Sequence, residues 1–159
     1  MVAGSRVLGD LMRIETSIDI AARPDAVWEL LMQPARYPEV MSPSDEITEL
    51  GDGVVEPGYV YKERGGIPPI KSEITWTVAD VDHGRRLVSD GTDGKVQIHV
   101  EWELTEIESG SHLIHTMQMK PAWFLVPVMA IMWPLMMRTR AQDALDGTMA
   151  NVKRIVEAA

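Results

Sequence analysis

From Arg13 to Ile20 the chain reads RIETSIDI, with Ile14, Thr16, Ile18 and Ile20 at every second position, the signature of a half-buried strand. The period changes at Pro24. PDAVWELLM sets Val27, Leu30 and Leu31 on one stripe, and Pro24 suits a first helical turn, where its missing N–H costs nothing. Pro34 and Pro38 bracket a second short helical turn, PARYPEV. The period then returns to two. Turn signals at GDG (51–53), ERGG (63–66), DHG (82–84), GTDG (91–94) and ESGS (108–111) separate runs rich in Val, Ile, Thr, Trp and Tyr. They predict strands over about 44–50, 58–64, 71–82, 86–90, 95–107 and 112–120.

Short turns between these runs imply antiparallel neighbours, since parallel pairs need long crossovers. Alternation also gives each strand a face. Ile74, Trp76 and Val78 oppose Glu73, Thr75 and Thr77, while Val96, Ile98, Val100, Trp102 and Leu104 oppose Gln97, His99, Glu101 and Glu103. Leu113, His115, Met117 and Met119 share one face of the last strand. The result is a curved sheet with one oily side. At the C-terminus, RTRAQDALDGTMANVKRIVEAA repeats Ala141, Leu145, Met149, Val152 and Val156 at helical spacing, with Asp143, Asp146, Lys153 and Glu157 off that stripe. Such a helix needs an apolar partner, and the sheet is the one on offer.

The chain of 159 residues fits one domain, which we place at 13–159 behind a short tail at 1–12. Twenty-four acidic residues against 15 basic ones give a net charge of -9, which repels phosphate backbones, and no Lys/Arg cluster offsets it; nucleic acid is not expected as a partner. There is no Cys, which excludes disulfides, thiol nucleophiles and thiolate metal sites, and suits a cytoplasmic location. MVAGSRVLGDLMR lacks the continuous apolar core of a secretory signal.

This order of elements, carried by IETSIDIAARPDAVWELLMQPARYPEV (14–40), PGYVYKERGG (57–66), TWTVADVDHGRRLV (75–88) and VEWELTEIESGSHLIHTMQM (100–119), resembles the START-like superfamily, in its polyketide cyclase/dehydratase and lipid-transport branch. The similarity runs from about residue 13 to 157. It implies an α+β helix-grip fold: a seven-stranded antiparallel sheet wrapped around a long C-terminal helix, with two short helices after the first strand and a deep apolar cavity between sheet and helix. It also implies a hydrophobic ligand, such as a lipid, polyketide or aromatic metabolite. The branch includes binders, carriers and enzymes and has no universal catalytic motif, so no catalytic residue is transferred. Its aromatase/cyclase members are thought to use pocket Arg and Tyr residues; Arg64 and Tyr61 are the nearest equivalents here, without a motif match.

With a cavity in mind, Ile74, Trp76, Val78, Val100, Trp102, His115, Met117 and Met119 form its expected wall, joined as ligand contacts by Tyr59 and Tyr61, and thioethers suit irregular ligands. His112 and His115 are spaced HxxH, but on a strand odd spacing sends them to opposite faces, which disfavours a shared metal. His115 is a candidate base or ligand anchor, against the plainer reading of a histidine satisfied in the core. Tyr59, Tyr61 and Glu63 alternate along one strand. If that face turns inward, Glu63 becomes a buried carboxyl with a raised pKa beside two phenols; if Val60 turns inward, all three are ordinary. Both parities stay open. Glu101 and Glu103 share a polar face and are rejected as a catalytic pair. No phosphate-cradling glycine loop, nucleophile elbow, HExxH or dinucleotide fingerprint is found, which leaves no cofactor expected and favours binding over catalysis. The enzymatic alternative is a cyclase or dehydratase using His115, Tyr61 and Glu63.

One stretch breaks the pattern. PAWFLVPVMAIMWPLMM (121–137) holds no charge, three prolines and four methionines, and lies between Lys120 and the pair Arg138 and Arg140. A membrane span needs about 20 apolar residues, and interior prolines each cost a helix roughly 3 kcal/mol. We therefore expect a broken helical segment that roofs the cavity, kinked by Pro134 near 130–134. The competing reading makes Trp123, Phe124, Met132 and Trp133 an exposed face for a membrane surface or a homodimer.

Overall fold

Every alternating run of the sequence forms a strand in the computed structural model, which describes residues 12–159. In chain order the elements are β1 (Arg13–Ile20), α1 (Pro24–Leu31), a 3₁₀ turn (Pro34–Arg36), α2 (Tyr37–Val40), β2 (Ser44–Glu49), β3 (Val60–Gly65), β4 (Ser72–Asp82), β5 (Arg86–Thr92), β6 (Val96–Ile107) and β7 (Gly110–Pro121). A 3₁₀ turn (Trp123–Leu125), α3 (Val126–Met132), a π-helical turn (Trp133–Met137) and α4 (Arg138–Ala158) follow. The strands form one seven-stranded antiparallel sheet in the order β1-β7-β6-β5-β4-β3-β2. This is the α+β arrangement expected, with a long C-terminal helix and short helices after the first strand.

The expected tail, 1–12, lies outside the described residues except for Met12. That side chain is fully buried, and its carbonyl accepts from the Met119 N–H at 3.2 Å, so it extends the β1 edge.

α4 buries the stripe read from the sequence: Ala141, Leu145, Met149, Val152 and Val156. Polar contacts hold it on both flanks. On the β1 side, the Thr16 hydroxyl donates to Asp146 at 2.7 Å, Lys153 donates to the Asp19 carbonyl at 2.9 Å, and the Ala21 N–H donates to Glu157 at 2.8 Å. On the α2 side, the Ser42 N–H donates to Thr148 Oγ1 at 3.0 Å and Asn151 to the Val40 carbonyl at 3.1 Å. Gly147 belongs to this seam. A Cβ there would stand 2.6 Å from Ser42 Oγ, so close approach accounts for a residue that otherwise costs a helix about 1 kcal/mol.

Buried side chains fall into two groups. One joins α1, Tyr37 and the strand ends to Met149, Val152 and Val156 of α4. The other joins Met12, Ile14, Ile67, Met117 and Met119 to Met129, Trp133, Met137, Ala141 and Leu145. The C-terminal half of α4 is thus packed solidly on the sheet. Over its N-terminal half the layers stand apart.

Candidate functional site

A cavity of about 120 Å³ occupies that gap. Its floor comes from inward positions of β3 to β7, dictated by the two-residue period: Tyr61, Ile74, Trp76, Val100, Trp102, His115, Met117 and Met119 all line it. Its roof is the 66–71 loop, through Ile67 and Ile70, together with Met129 and Met137; Leu145 and Thr148 of α4 close the side. Arg140 pins loop to helix by donating to the Pro68 carbonyl at 2.8 Å.

Two expected wall residues lie elsewhere. Val78, on the inward face of β4, is buried within the first core group and does not line the cavity. Tyr59 precedes β3 and turns its hydroxyl outward to accept the Gly51 N–H at 3.1 Å, so it too is absent from the lining. Arg64 is exposed and pairs with Glu46 at 3.0 Å on the opposite face of β3, which removes it as a pocket arginine.

The parity of β3 is resolved in favour of the tyrosines: Tyr59, Tyr61 and Glu63 are buried while Val60 is exposed. Glu63, only 8% exposed, lines the cavity. Its Oε1 accepts the Trp76 indole N–H at 2.7 Å. Oε2 and the buried hydroxyl of Ser44 make no hydrogen bond with good geometry among the described residues, but the hydroxyl lies close enough to act on the carboxyl. Burial pushes the Glu63 carboxyl up; Ser44 and Trp76 pull it back less strongly, and the Asp45 charge adds to the rise. Trp76 is fixed for its part by Gly91 opposite on β5, where a Cβ would meet the indole at 2.6 Å. Burial, with neighbouring Tyr37 and Glu63, also raises Tyr61 well above the ordinary phenol value, so it stays O–H.

His115 sits at the other end of the polar inventory. Its ring stacks on Trp102 with centroids 3.7 Å apart and planes 12° from parallel, and Nδ1 meets the Glu101 carbonyl at 3.1 Å. A carbonyl only accepts, so Nδ1 carries the proton and Nε2 is the ring's acceptor. Burial pushes His115 down to about 4, against a small opposing pull from that carbonyl. His112, on the opposite face, contacts Asp19 at 2.6 Å. Glu101 is tied on the outer face to Arg86 at 2.7 Å and His99 at 3.1 Å.

Several lining residues gave no sequence signal for the cavity. Ser89 is inward on β5 but hidden in a short mixed run. Asp93 lines the cavity with its carboxylate already used: Oδ1 accepts the Lys95 and Val96 N–H groups at 2.8 and 2.9 Å, and Oδ2 the Ser72 hydroxyl at 2.9 Å. The turn pattern GTDG was legible; that its Asp would border a cavity was not. Ile67 and Ile70 flank the two prolines of the GIPPIK loop, a spacing that signals a turn and nothing more.

The apolar stretch divides its residues between two faces. Met129, Trp133 and Met137 are buried in the roof. Trp123 is 85% exposed and Leu135 77%, with Phe124, Val128 and Ile131 also exposed. Trp133 is therefore roof, not surface, and Met132 is half-buried. The irregularity expected from Pro134 takes the form of the π-helical turn, whose i→i+5 bonding and wider radius accommodate a proline without ending the helix. No helix among the described residues is long and apolar enough to cross a membrane.

Solved structures share this architecture at low identity. The di-domain ARO/CYC StfQ from the steffimycin biosynthetic pathway superposes with a TM-score of 0.77 at 13% identity, covering 99% of this chain and 53% of that one. The di-domain ARO/CYC BexL from the BE-7585A pathway gives 0.75 at 14%, covering 99% and 54%. A START superfamily protein from Mycobacterium smegmatis gives 0.69 at 9%, covering 92% and 97%. At such identities the likeness is one of fold. No curated protein matches the chain by sequence. The model of one family, polyketide cyclase/dehydrase and lipid transport, matches residues 12–157, and with nearly its whole length accounted for, the chain belongs to that family.

Proposed function

We propose that this protein binds a small hydrophobic molecule in the cavity between its sheet and α4. The observation that carries the reading is the gap itself: a wall of Ile, Val, Trp and Met side chains with a few polar groups set among them. Its volume is well below the roughly 300–1,000 Å³ of pockets for drug-sized ligands, so a single ring fits as it stands and a larger guest must displace side chains. Met117, Met119, Met129 and Met137 make that possible, since thioethers repack at low cost. Native mass spectrometry of freshly purified protein, followed by organic extraction, is expected to release a defined apolar compound. Protein that stays empty and fails to bind any apolar ring compound would overturn the reading.

A cyclase or dehydratase reading draws on the raised Glu63 carboxyl beside the Tyr61 hydroxyl, which is a plausible acid pair. Binding is better supported, because His115 near 4 is a weak base at neutral pH. His115→Ala and Tyr61→Phe are accordingly expected to weaken ligand affinity by less than about tenfold, roughly the 0.5–1.5 kcal/mol of one hydrogen bond. An enzyme would instead lose turnover by orders of magnitude in the same variants.

The exposed face of Trp123, Phe124, Val128, Ile131 and Leu135 supports peripheral contact with an anionic membrane surface, from which such a ligand would be drawn. Although the whole chain is acidic, no Asp or Glu occurs between Glu108 and Asp143, and Lys120, Arg138 and Arg140 in that span are exposed. The local charge therefore suits anionic lipid. Wild-type protein is expected to co-sediment with phosphatidylcholine vesicles doped with phosphatidylglycerol, more weakly in high salt. Leu135→Glu is expected to cut that binding about tenfold or more, the value of one buried Leu side chain. Light scattering that instead shows a dimer, with no vesicle binding, would reassign the face to self-association.

A further inference from the structure

We propose that the cavity selects uncharged apolar molecules bearing a hydroxyl, an alcohol or phenol, whose O–H donates to Glu63 Oε2. The inference deepens the cavity-binding reading above and rests on it. Glu63 is more than nine-tenths buried, lines the cavity, and has one oxygen committed to Trp76; the other makes no hydrogen bond here, and the competing donor is the neighbouring Ser44 hydroxyl, itself without a partner and outside the lining. An acceptor left in that condition costs on the order of a hydrogen bond's desolvation, and a ligand donor removes the cost.

The rest of the wall narrows the ligand further. None of the lining residues is Lys or Arg. Arg64, next to Glu63 in the chain, spends its charge on Glu46 outside. A carboxylate or phosphate entering the cavity would meet a carboxyl and no cation, so anionic lipids and acids are selected against. An ammonium could pair with Glu63, but its remaining N–H groups would face the apolar wall. A hydroxyl brings one donor for one acceptor. The second fixed acceptor, His115 Nε2, makes the same demand, whereas the hydroxyls of Tyr61 and Ser89 turn to suit either partner. Asp93 asks for nothing, because its oxygens already accept from Lys95, Val96 and Ser72.

Calorimetric titration of the full chain with p-cresol, toluene and p-toluate, three single rings of similar shape, tests this. The expected order is p-cresol tighter than toluene by about tenfold or more, as befits a buried hydrogen bond to a carboxylate, with p-toluate weakest. Glu63→Gln keeps the acceptor for Trp76 but places an NH₂ donor where Oε2 stood. In it the preference for p-cresol over toluene is expected to fall to within about twofold, with toluene binding unchanged. p-Toluate binding as tightly as p-cresol overturns the proposal even if the variant fails to fold. A p-cresol preference that survives in Glu63→Gln also overturns it, since the hydroxyl would then be held by His115 or by a donating carboxyl and not by Glu63 Oε2. Toluene binding without any preference for p-cresol sinks this inference and leaves the cavity reading standing. Failure of all three rings to bind overturns both.

Discussion

Trp133→Glu is expected to abolish folding, while Trp123→Glu is expected to leave it intact. The two indoles are ten positions apart in the same uncharged stretch, but Trp133 is 4% exposed and Trp123 85%. Trp133 packs in the roof with Met129, Met137 and Ala141, as part of the second group of core residues. Removing a buried Trp costs about 3–5 kcal/mol, and placing a carboxylate in the hole adds several more. Domains of this size have only roughly 5–15 kcal/mol in hand, so the variant should be insoluble or lack a cooperative transition. An exposed substitution is expected to move stability by about 0.5 kcal/mol or less. Circular dichroism and thermal melts of the two variants check the assignment. A cooperative Trp133→Glu melt near the wild-type temperature would mean that the segment does not roof the core.

The second large effect concerns acid. His115 has a folded pKa of about 4 against an ordinary value near 6.5, because its buried ring resists protonation. The unfolded chain therefore binds more protons than the native one between those values, and stability must fall as pH falls through the window. The span corresponds to about 3 kcal/mol lost between pH 6.5 and 4. Glu63 acts with the opposite sign: its raised carboxyl is disfavoured when charged, so acidification restores some stability. His99 is raised by Asp90 and Glu101, which together outweigh its burial; its contribution is complete below 6.5 and does not change in this window. Asp93, Glu101 and Glu157 have lowered values, so their stabilisation is complete over most of this window and starts to be lost only at its acid end, as pH falls below their ordinary values. His115→Phe keeps a ring against Trp102 while removing the titration. Urea unfolding of both proteins across the window should show the wild type losing about 3 kcal/mol relative to the variant. Parallel curves would mean that His115 is protonated in the fold or exposed.

How much was legible beforehand depends on local contrast. Strand existence and facing followed from alternation: β6 and β7 present the residues expected, and His112 and His115 part company as odd spacing requires. The helical stripe of α4 was equally plain, because charged and apolar residues are cleanly segregated along it. Pattern and element order together specify an α+β sheet-and-helix layer.

Where contrast is missing, tertiary structure decided. Tyr59-Tyr61-Glu63 and Val60 offered either face of β3 something to bury, so the parity that makes Glu63 a cavity group depended on which side of the sheet the helices cover. The 121–137 stretch is apolar all round; only its packing on Ile67, Met117 and Met119 sorts Trp133 inward and Trp123 outward. Val78 and Trp76 share a strand face and a chemistry, yet one is packed core and the other cavity wall. That difference is set by what comes to lie over each of them, side chains remote in the chain and written in no single segment. The sequence by itself determined which side of each regular element is oily; the tertiary structure alone decided where that oil meets itself and where it leaves room for a guest.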